Sequence, residues 1–203
     1  MSVAESIEQA RDGDEQSLGI LLESYERYLK LLAEVQLGSQ LRGKVDASDI
    51  VQETFLEAHR AFGRFKGSDG DQLIAWLKSI LATRLANTMR HYLGTQARDI
   101  RLEQRIGQSL DQSALSLGGI LAAPGSSPSQ HLASKEQSQL VAEALLRLPS
   151  DYRDVIVMRH LEGETFPAIA KALRRSVDSV EKLWLRGMAK LKREVQLGER
   201  NGP

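Results

Sequence analysis

The sequence predicts an all-α protein with two small helical domains joined by a flexible linker, the second domain being a helix-turn-helix. Apolar residues recur at helical spacing, and valine, isoleucine and threonine rarely alternate with polar residues as they do in strands. A stretch rich in glycine, proline and serine interrupts the chain past its middle. The last quarter holds two short helical patterns, a turn and a longer helix with one basic face.

Composition excludes several classes of protein. The chain has 203 residues and no cysteine, so a disulfide framework, a thiolate zinc site and a cysteine nucleophile are excluded. Its N-terminus lacks a basic region followed by an apolar run, and no apolar stretch is long enough to span a bilayer. We therefore expect a soluble cytoplasmic protein.

The net charge of zero hides a pattern of four blocks. Residues 1–59 carry a net charge of −7, residues 60–105 carry +5, residues 106–170 carry −3 and residues 171–194 carry +5. Two basic blocks favour two contacts with a polyanion, and the acidic blocks favour a protein partner. Ordinary solvated helix faces give a similar pattern, so charge alone does not decide between these interpretations.

The first domain is predicted to contain four helices, at 2–10, 18–37, 46–62 and 71–92. Either Asp46 or Ser48 can cap the third helix, whose acidic and amide residues lie largely off its apolar face. On the fourth helix, Trp76 lies on the apolar side, where it is either a core residue or a ligand contact. The opposite side is basic and continues past Gly94.

A metal site in the third helix is not expected. Glu57 and His59 are two residues apart and lie on different helix faces. The di-metal pattern of helical bundles needs glutamate three residues before the histidine, and that position is Leu56. No cofactor is predicted either, since the chain has no glycine-rich phosphate loop and its four histidines are scattered.

Domain boundaries follow from a change in composition over residues 106–134, which are rich in glycine, serine and glutamine. This segment is predicted to be a flexible linker with a transient helix over 110–121. The first domain is therefore assigned to residues 1–105 and the second to residues 135–197.

The helix-turn-helix is predicted from residues 148–194. Pro149 suits a first helical turn, Gly163 stops that helix, and Thr165 can cap the next one. Arg174 occupies the turn position where glycine is common, so the turn either uses another geometry or holds Arg174 at positive φ. The first turn of the last helix, from Ser176, would reach base edges while later cations face phosphates. The alternative is an αα-corner of an ordinary helical domain.

These residues resemble the extracytoplasmic-function (ECF) subfamily of bacterial RNA polymerase sigma factors. The similarity includes residues 44–64 with their Asp-x-Val-Gln-Glu-Thr-Phe motif, residues 73–92, and the closing helix-turn-helix block. It covers everything except the two ends and the linker. The combination of both halves is more specific than either alone.

The resemblance implies a non-enzymatic factor that directs RNA polymerase core to promoters. Its first domain would dock on the polymerase clamp and melt the −10 element, and its second would dock on the flap and read the −35 element. The linker would run toward the active-site channel. The implied polymerase-binding residues are Asp49, Gln52, Glu53 and Phe55. The implied −10 residues are Trp76, Lys78, Arg84, Asn87, Arg90 and His91. The implied −35 residues are Arg174, Arg175, Ser176, Ser179, Lys182 and Arg186.

Two other classes stay open at this stage. A stand-alone helix-turn-helix regulator would use the C-terminal motif without polymerase core, although its N-terminal half would then not need a second basic block. A helical enzyme is the other class. The sequence leaves open which promoter is read and whether an anti-sigma factor is a partner.

Overall fold

The computed structural model describes residues 2–41, 43–93, 100–121 and 134–201. Within these ranges the protein contains ten α-helices, one short 3₁₀ helix and no strand, which confirms the all-α prediction. The chain forms two compact units, Met1–Asp111 and Gln112–Pro203.

The first unit begins with five helices, and polar caps fix the starts of several of them. Ser2 and Glu5 form a capping box on the first helix, and Asp14 accepts hydrogen bonds at the start of the second. Of the two predicted caps of the fourth helix, Asp46 is the one used, and it accepts a hydrogen bond of 2.8 Å from the backbone N–H of Ser48. The five helices are α1 (Val3–Arg11), α2 (Glu15–Glu23), α3 (Glu26–Leu41), α4 (Ala47–Ala61) and α5 (Gly70–Leu93).

The predicted single helix over residues 18–37 is wrong, because the chain breaks between α2 and α3. The Ser24 hydroxyl donates to the Leu21 carbonyl at 2.6 Å, and Tyr25 is buried beside the break. The apolar spacing continues through both helices, so periodicity alone could not reveal the break. Gly38 does not end α3 but kinks it, with φ of 55°, a conformation that glycine adopts at little cost.

The core of the first unit lies where α3, α4 and α5 pack together. Leu29 and Leu32 of α3 are fully buried, as are Leu77 and Leu81 of α5. α4 contributes Ala58 to the same interior. This packing fixes α4 with its apolar stripe inward and its polar stripe toward solvent.

The first part of the predicted linker is helical. α6 runs over Ile100–Gly119, and Ile106, Leu110 and Leu117 are buried along one of its faces. These side chains recur at i, i+4 and i+11, so burial of the leucines outweighs the cost of glycine in a helix. The prediction of a flexible linker is therefore corrected over 106–119, while 122–133 lie outside the described residues.

The second unit continues with four helices: α7 (Ser134–Arg147), α8 (Ser150–His160), α9 (Phe166–Leu173) and α10 (Val177–Asn201). Val155, Ile169, Ala170 and Val180 form a buried cluster between α8, α9 and α10. At Gly187, a Cβ atom would lie only 3.1 Å from the Ile156 side chain, so glycine allows α10 to approach α8 closely.

Candidate nucleic-acid and protein interfaces

A polar stripe runs along the exposed side of α4. Asp49, Gln52 and Glu53 are exposed, whereas Phe55 is half-buried. Among the described residues, neither Asp49 nor Glu53 has an ion pair, so both carboxylates are available to a partner. The structure therefore brings the four sequence-predicted docking residues onto one helix, three of them on one solvent-facing stripe.

Leu56 also lies within this stripe, and the sequence analysis did not name it among the docking candidates. It is 58% exposed, whereas Ile50, Val51 and Ala58 of α4 are buried. Its position, one turn after Gln52 and Glu53, was the available signal, because a leucine off the apolar stripe has no packing role. An exposed leucine among polar residues is suited to burial in a protein interface.

The cations predicted to face −10 DNA on α5 are all engaged by carboxylates. The Lys78 ammonium donates to Asp111 of α6. The Arg84 guanidinium lies 3.0 Å from the Glu57 carboxylate of α4. These pairs join α5 to helices on either side of it in sequence, which sequence spacing could not reveal.

Arg90 is the third engaged cation. Its guanidinium lies 3.3 Å from Glu103 of α6 and 2.7 Å from the side-chain oxygen of Asn87. Only 16% of the Arg90 side chain is exposed. In the free protein, the α5 cations are thus neutralised by nearby acids, and a DNA phosphate would have to replace a carboxylate partner.

The C-terminal end of α5 is more open. Asn87 and His91 are exposed, and the Tyr92 ring is 47% exposed and packs edge-on against His91 at 5.2 Å. Exposed rings of this kind are platforms on which unpaired bases stack. Tyr92 was missed by the sequence analysis, although its place one residue after His91 was visible.

Trp76 belongs to an aromatic cluster at the other end of α5. Its ring stacks on Phe65 at 4.9 Å and meets the edge of Phe62 at 6.2 Å, yet it remains partly exposed. Arg11 fixes the adjoining loop by donating to the carbonyls of Phe65 and Gly67. Trp76 is therefore a packed residue with one accessible part, which keeps both sequence interpretations open.

Three other cations of the first basic block are exposed and unengaged. Arg60, Arg64 and Lys66 lie at the end of α4 and in the loop that follows, and none forms an ion pair with a described residue. Arg64 and Lys66 flank Phe65 in the chain, so unneutralised positive charge lies beside the aromatic cluster. Cations and aromatic rings together suit a single-stranded nucleic acid.

The turn of the helix-turn-helix has the strained geometry that the sequence allowed. Arg174 is in the left-handed region, with φ of 53° and ψ of 46°. The backbone N–H of Arg175 donates to the Ala170 carbonyl at 2.9 Å and closes the end of α9. The second of the two predicted alternatives, a strained arginine, is therefore confirmed.

Side chains near the start of α10 form a capping hydrogen bond and an ion pair. The Ser176 hydroxyl accepts a 3.2 Å hydrogen bond from the Ser179 backbone and so caps the helix, while the Ser179 side chain is half-buried. Arg175 pairs with Asp151 of α8 at 2.8 Å. Such exposed pairs contribute little to stability, so a phosphate can replace the carboxylate at small cost.

The outer side of α10 is exposed beyond this first turn. Lys182 pairs with Asp178 at 2.8 Å, whereas Arg186 has no ion pair with any described residue. Leu183 packs against the buried cluster and is not a DNA-facing residue. The exposed cations farther along the helix are Lys190, Lys192 and Arg193.

His160 links α8 to α10 behind the outer face. The Trp184 indole N–H donates to Nε2 of His160 at 3.1 Å, and the two ring planes are nearly parallel, at 17° to each other. Burial of the imidazole, with a smaller contribution from the neighbouring Arg159, lowers the pKa of His160 below its usual value. The histidine is therefore neutral at physiological pH and orients Trp184.

The described residues were found to hold neither a metal-binding group nor a membrane-spanning helix. In the described parts of the chain, no three histidine, aspartate or glutamate side chains are grouped so that they could hold a metal ion. None of the described helices is long and apolar enough to cross a membrane.

A helix-turn-helix with an exposed, cation-flanked last helix is typical of a DNA-binding protein, and the other unit carries an exposed acidic stripe on α4. Two family descriptions match the chain: "Sigma-70 region 2" over residues 24–98 and "Sigma-70, region 4" over residues 138–191. The chain belongs to the sigma-70 family of RNA polymerase sigma factors. Members of this family are transcription initiation factors and not enzymes, which confirms the non-enzymatic expectation.

Similar proteins place the chain within the ECF group of that family. An "ECF RNA polymerase sigma-E factor" of Escherichia coli (strain K12) is 27% identical over 190 residues, which cover 94% of this chain and 92% of the relative. The protein of the same name from Salmonella typhimurium (strain LT2) gives the same values. The Haemophilus influenzae protein of that name is 24% identical over 190 residues, which cover 94% of this chain and 93% of the relative.

Proposed function

We propose that this ECF sigma factor brings RNA polymerase core to promoters through one protein-docking surface and two separate DNA contacts. The observation that carries the proposal is the occurrence, in one chain, of an unengaged acidic stripe on α4 and a cation-flanked recognition helix α10. A polyanion is attracted by a basic surface and repelled by an acidic one. The two surfaces therefore favour two kinds of partner.

The α4 stripe is the proposed contact with the polymerase clamp. Asp49, Gln52 and Glu53 would form polar contacts, and Leu56 would be the apolar anchor among them. Phe55 is half-buried, so we assign it a role in supporting the stripe as well as contacting the partner.

The −10 contact is proposed for both ends of α5. Trp76 with Arg64 and Lys66 would form one part, and Asn87, His91 and Tyr92 the other. These groups supply exposed cations and rings for an unpaired strand. Lys78, Arg84 and Arg90 would contribute only if their carboxylate partners are displaced by phosphate.

The −35 contact is proposed for the helix-turn-helix, with α10 in the major groove. Arg174, Arg175 and Arg186 are positioned to reach phosphates, and Lys182 can do so by leaving Asp178. Ser176 and Ser179 contribute the helix start that approaches the duplex. The second unit would also dock on the polymerase flap.

Two further parts of the proposal rest on the family assignment. We place the protein in the cytoplasm, where RNA polymerase acts, and propose an anti-sigma factor as a further partner. We place the domain boundary within α6, because the compact units meet between Asp111 and Gln112.

The runner-up function is a stand-alone helix-turn-helix regulator, and a binding experiment separates the two. Labelled promoter fragments selected from genomic DNA are mixed with the full chain alone, with core polymerase alone and with both. Sequence-specific retention that requires both proteins supports the proposal. Equal specific binding by the chain alone would favour the regulator.

A further inference from the structure

The first two turns of α10 present an unusual surface for a DNA-binding helix. Its exposed side chains there are Val177, Asp178, Glu181 and Lys182, and Leu185 is exposed just beyond them. The Lys182 ammonium is neutralised by Asp178 at 2.8 Å. The Glu181 side chain has no hydrogen bond or ion pair with any described residue, so this part of the helix offers one free carboxylate and no free cation.

Free cations lie on both sides of this surface. Arg174 precedes the helix and Arg186 follows Leu185, and neither is paired with a described residue. Phosphates lie at the two walls of the major groove, while base edges form its floor. Flanking cations therefore anchor the helix at the walls, and the segment between them meets the bases.

We propose that Glu181 and Leu185 are specificity-determining residues that read a cytosine and a nearby thymine in the −35 duplex. The inference rests on the proposed function. A carboxylate only accepts hydrogen bonds, and the donors that bases present in the major groove are the amino groups of cytosine and adenine. Adenine places its N7 acceptor beside that donor, which repels a carboxylate, and guanine presents two acceptors. Cytosine is thus the base that Glu181 favours.

Leu185 supplies the second part of the reading surface. Its side chain is 60% exposed, although a leucine in that position gains nothing from water contact. The C5 methyl group of thymine is the apolar feature of the major groove. Leu185 follows Glu181 by one helical turn, about 6 Å along the axis, so the two residues reach bases within about two steps of each other.

With Glu181 and Leu185 as the residues that contact bases, Ser176 and Ser179 are not needed for base recognition. The Ser176 hydroxyl is engaged as the cap of α10, and the Ser179 side chain is half-buried. Both are less available to a base than Glu181 and Leu185. The negative charge of Glu181 also rejects unsuitable sequences by repulsion, which adds discrimination without adding affinity.

The test uses holoenzyme assembled from core polymerase and the full chain, bound to a library randomised over the −35 region. For Glu181→Gln we expect the cytosine preference at one position to fall about tenfold and adenine to gain, because an amide pairs with both N6 and N7 of adenine. Glu194→Gln, on the same helix beyond the reading segment, is the matched control and should leave the base ranking unchanged.

A second probe tests Leu185 by replacing individual thymines with deoxyuridine, which removes only the methyl group. Wild-type holoenzyme should lose about threefold to fourfold in affinity at one thymine, and Leu185→Ala should show no such loss. If the wild type has a −35 preference that neither variant alters, the inference is overturned while the proposed function stands. If the wild type has no −35 preference, the proposed function fails as well.

Discussion

Replacing Arg174 with glycine should stabilise the second unit even though it removes a surface charge. Arg174 has φ of 53° and ψ of 46°, a conformation that costs a residue with a Cβ atom roughly 1–2 kcal/mol. Glycine removes this cost, but its greater freedom in the unfolded chain destabilises the folded state by about 0.5–1 kcal/mol. The net stabilisation is therefore roughly 0.5–1 kcal/mol. For a unit of this size the melting temperature should rise by roughly 2–8 °C.

The matched variant is Arg174→Ala, which removes the same charge but keeps the strain. Thermal unfolding is followed by Trp184 fluorescence in a Trp76→Phe background, so that only the second unit reports. Both variants should weaken −35 binding equally, since each removes one cation, but only glycine should raise the melting temperature. Equal melting temperatures for the two variants would refute the strain argument.

Three other predictions concern docking, the α5 cations and pH. Leu56→Ser should weaken binding to core polymerase about tenfold in a pull-down titration, because it removes exposed apolar area from the stripe, whereas Ile20→Ser, an equally exposed control on α2, should not. Glu103→Gln with Asp111→Asn should free two α5 cations and tighten binding of −10 single strands to holoenzyme, measured by fluorescence anisotropy; an unchanged affinity would remove those cations from the site. Lowering the pH through 6.5 should lower the urea midpoint of the second unit, because the unfolded chain protonates His160 more readily than the folded one, and His160→Gln should flatten that dependence.

The helices could largely be predicted from the sequence, because most of them bury one apolar stripe. The exceptions have physical reasons. At Ser24 and Tyr25 the stripe continues through a backbone break, and along α6 buried leucines outweigh the glycines that suggested a linker. The strained turn at Arg174 was foreseen as one of two geometries, because the residue type itself raised the conflict.

The candidate sites were only partly accessible from the sequence. The α4 stripe follows from helical periodicity, so its polar residues were placed correctly on one exposed side. Pairing of Lys78 with Asp111 joins residues 33 positions apart, and no local pattern indicates it. The capping role of Ser176 and the isolation of Glu181 likewise depend on which neighbours each side chain finds after folding.

The most direct test of the central claim is permanganate footprinting of promoter DNA with purified core polymerase and the full chain. Unpaired thymines in the −10 region are expected only when both proteins are present, and the Leu56→Ser variant should lose that reactivity. Melting by core polymerase alone, or specific promoter binding by the chain without any melting when core is added, would contradict the claim.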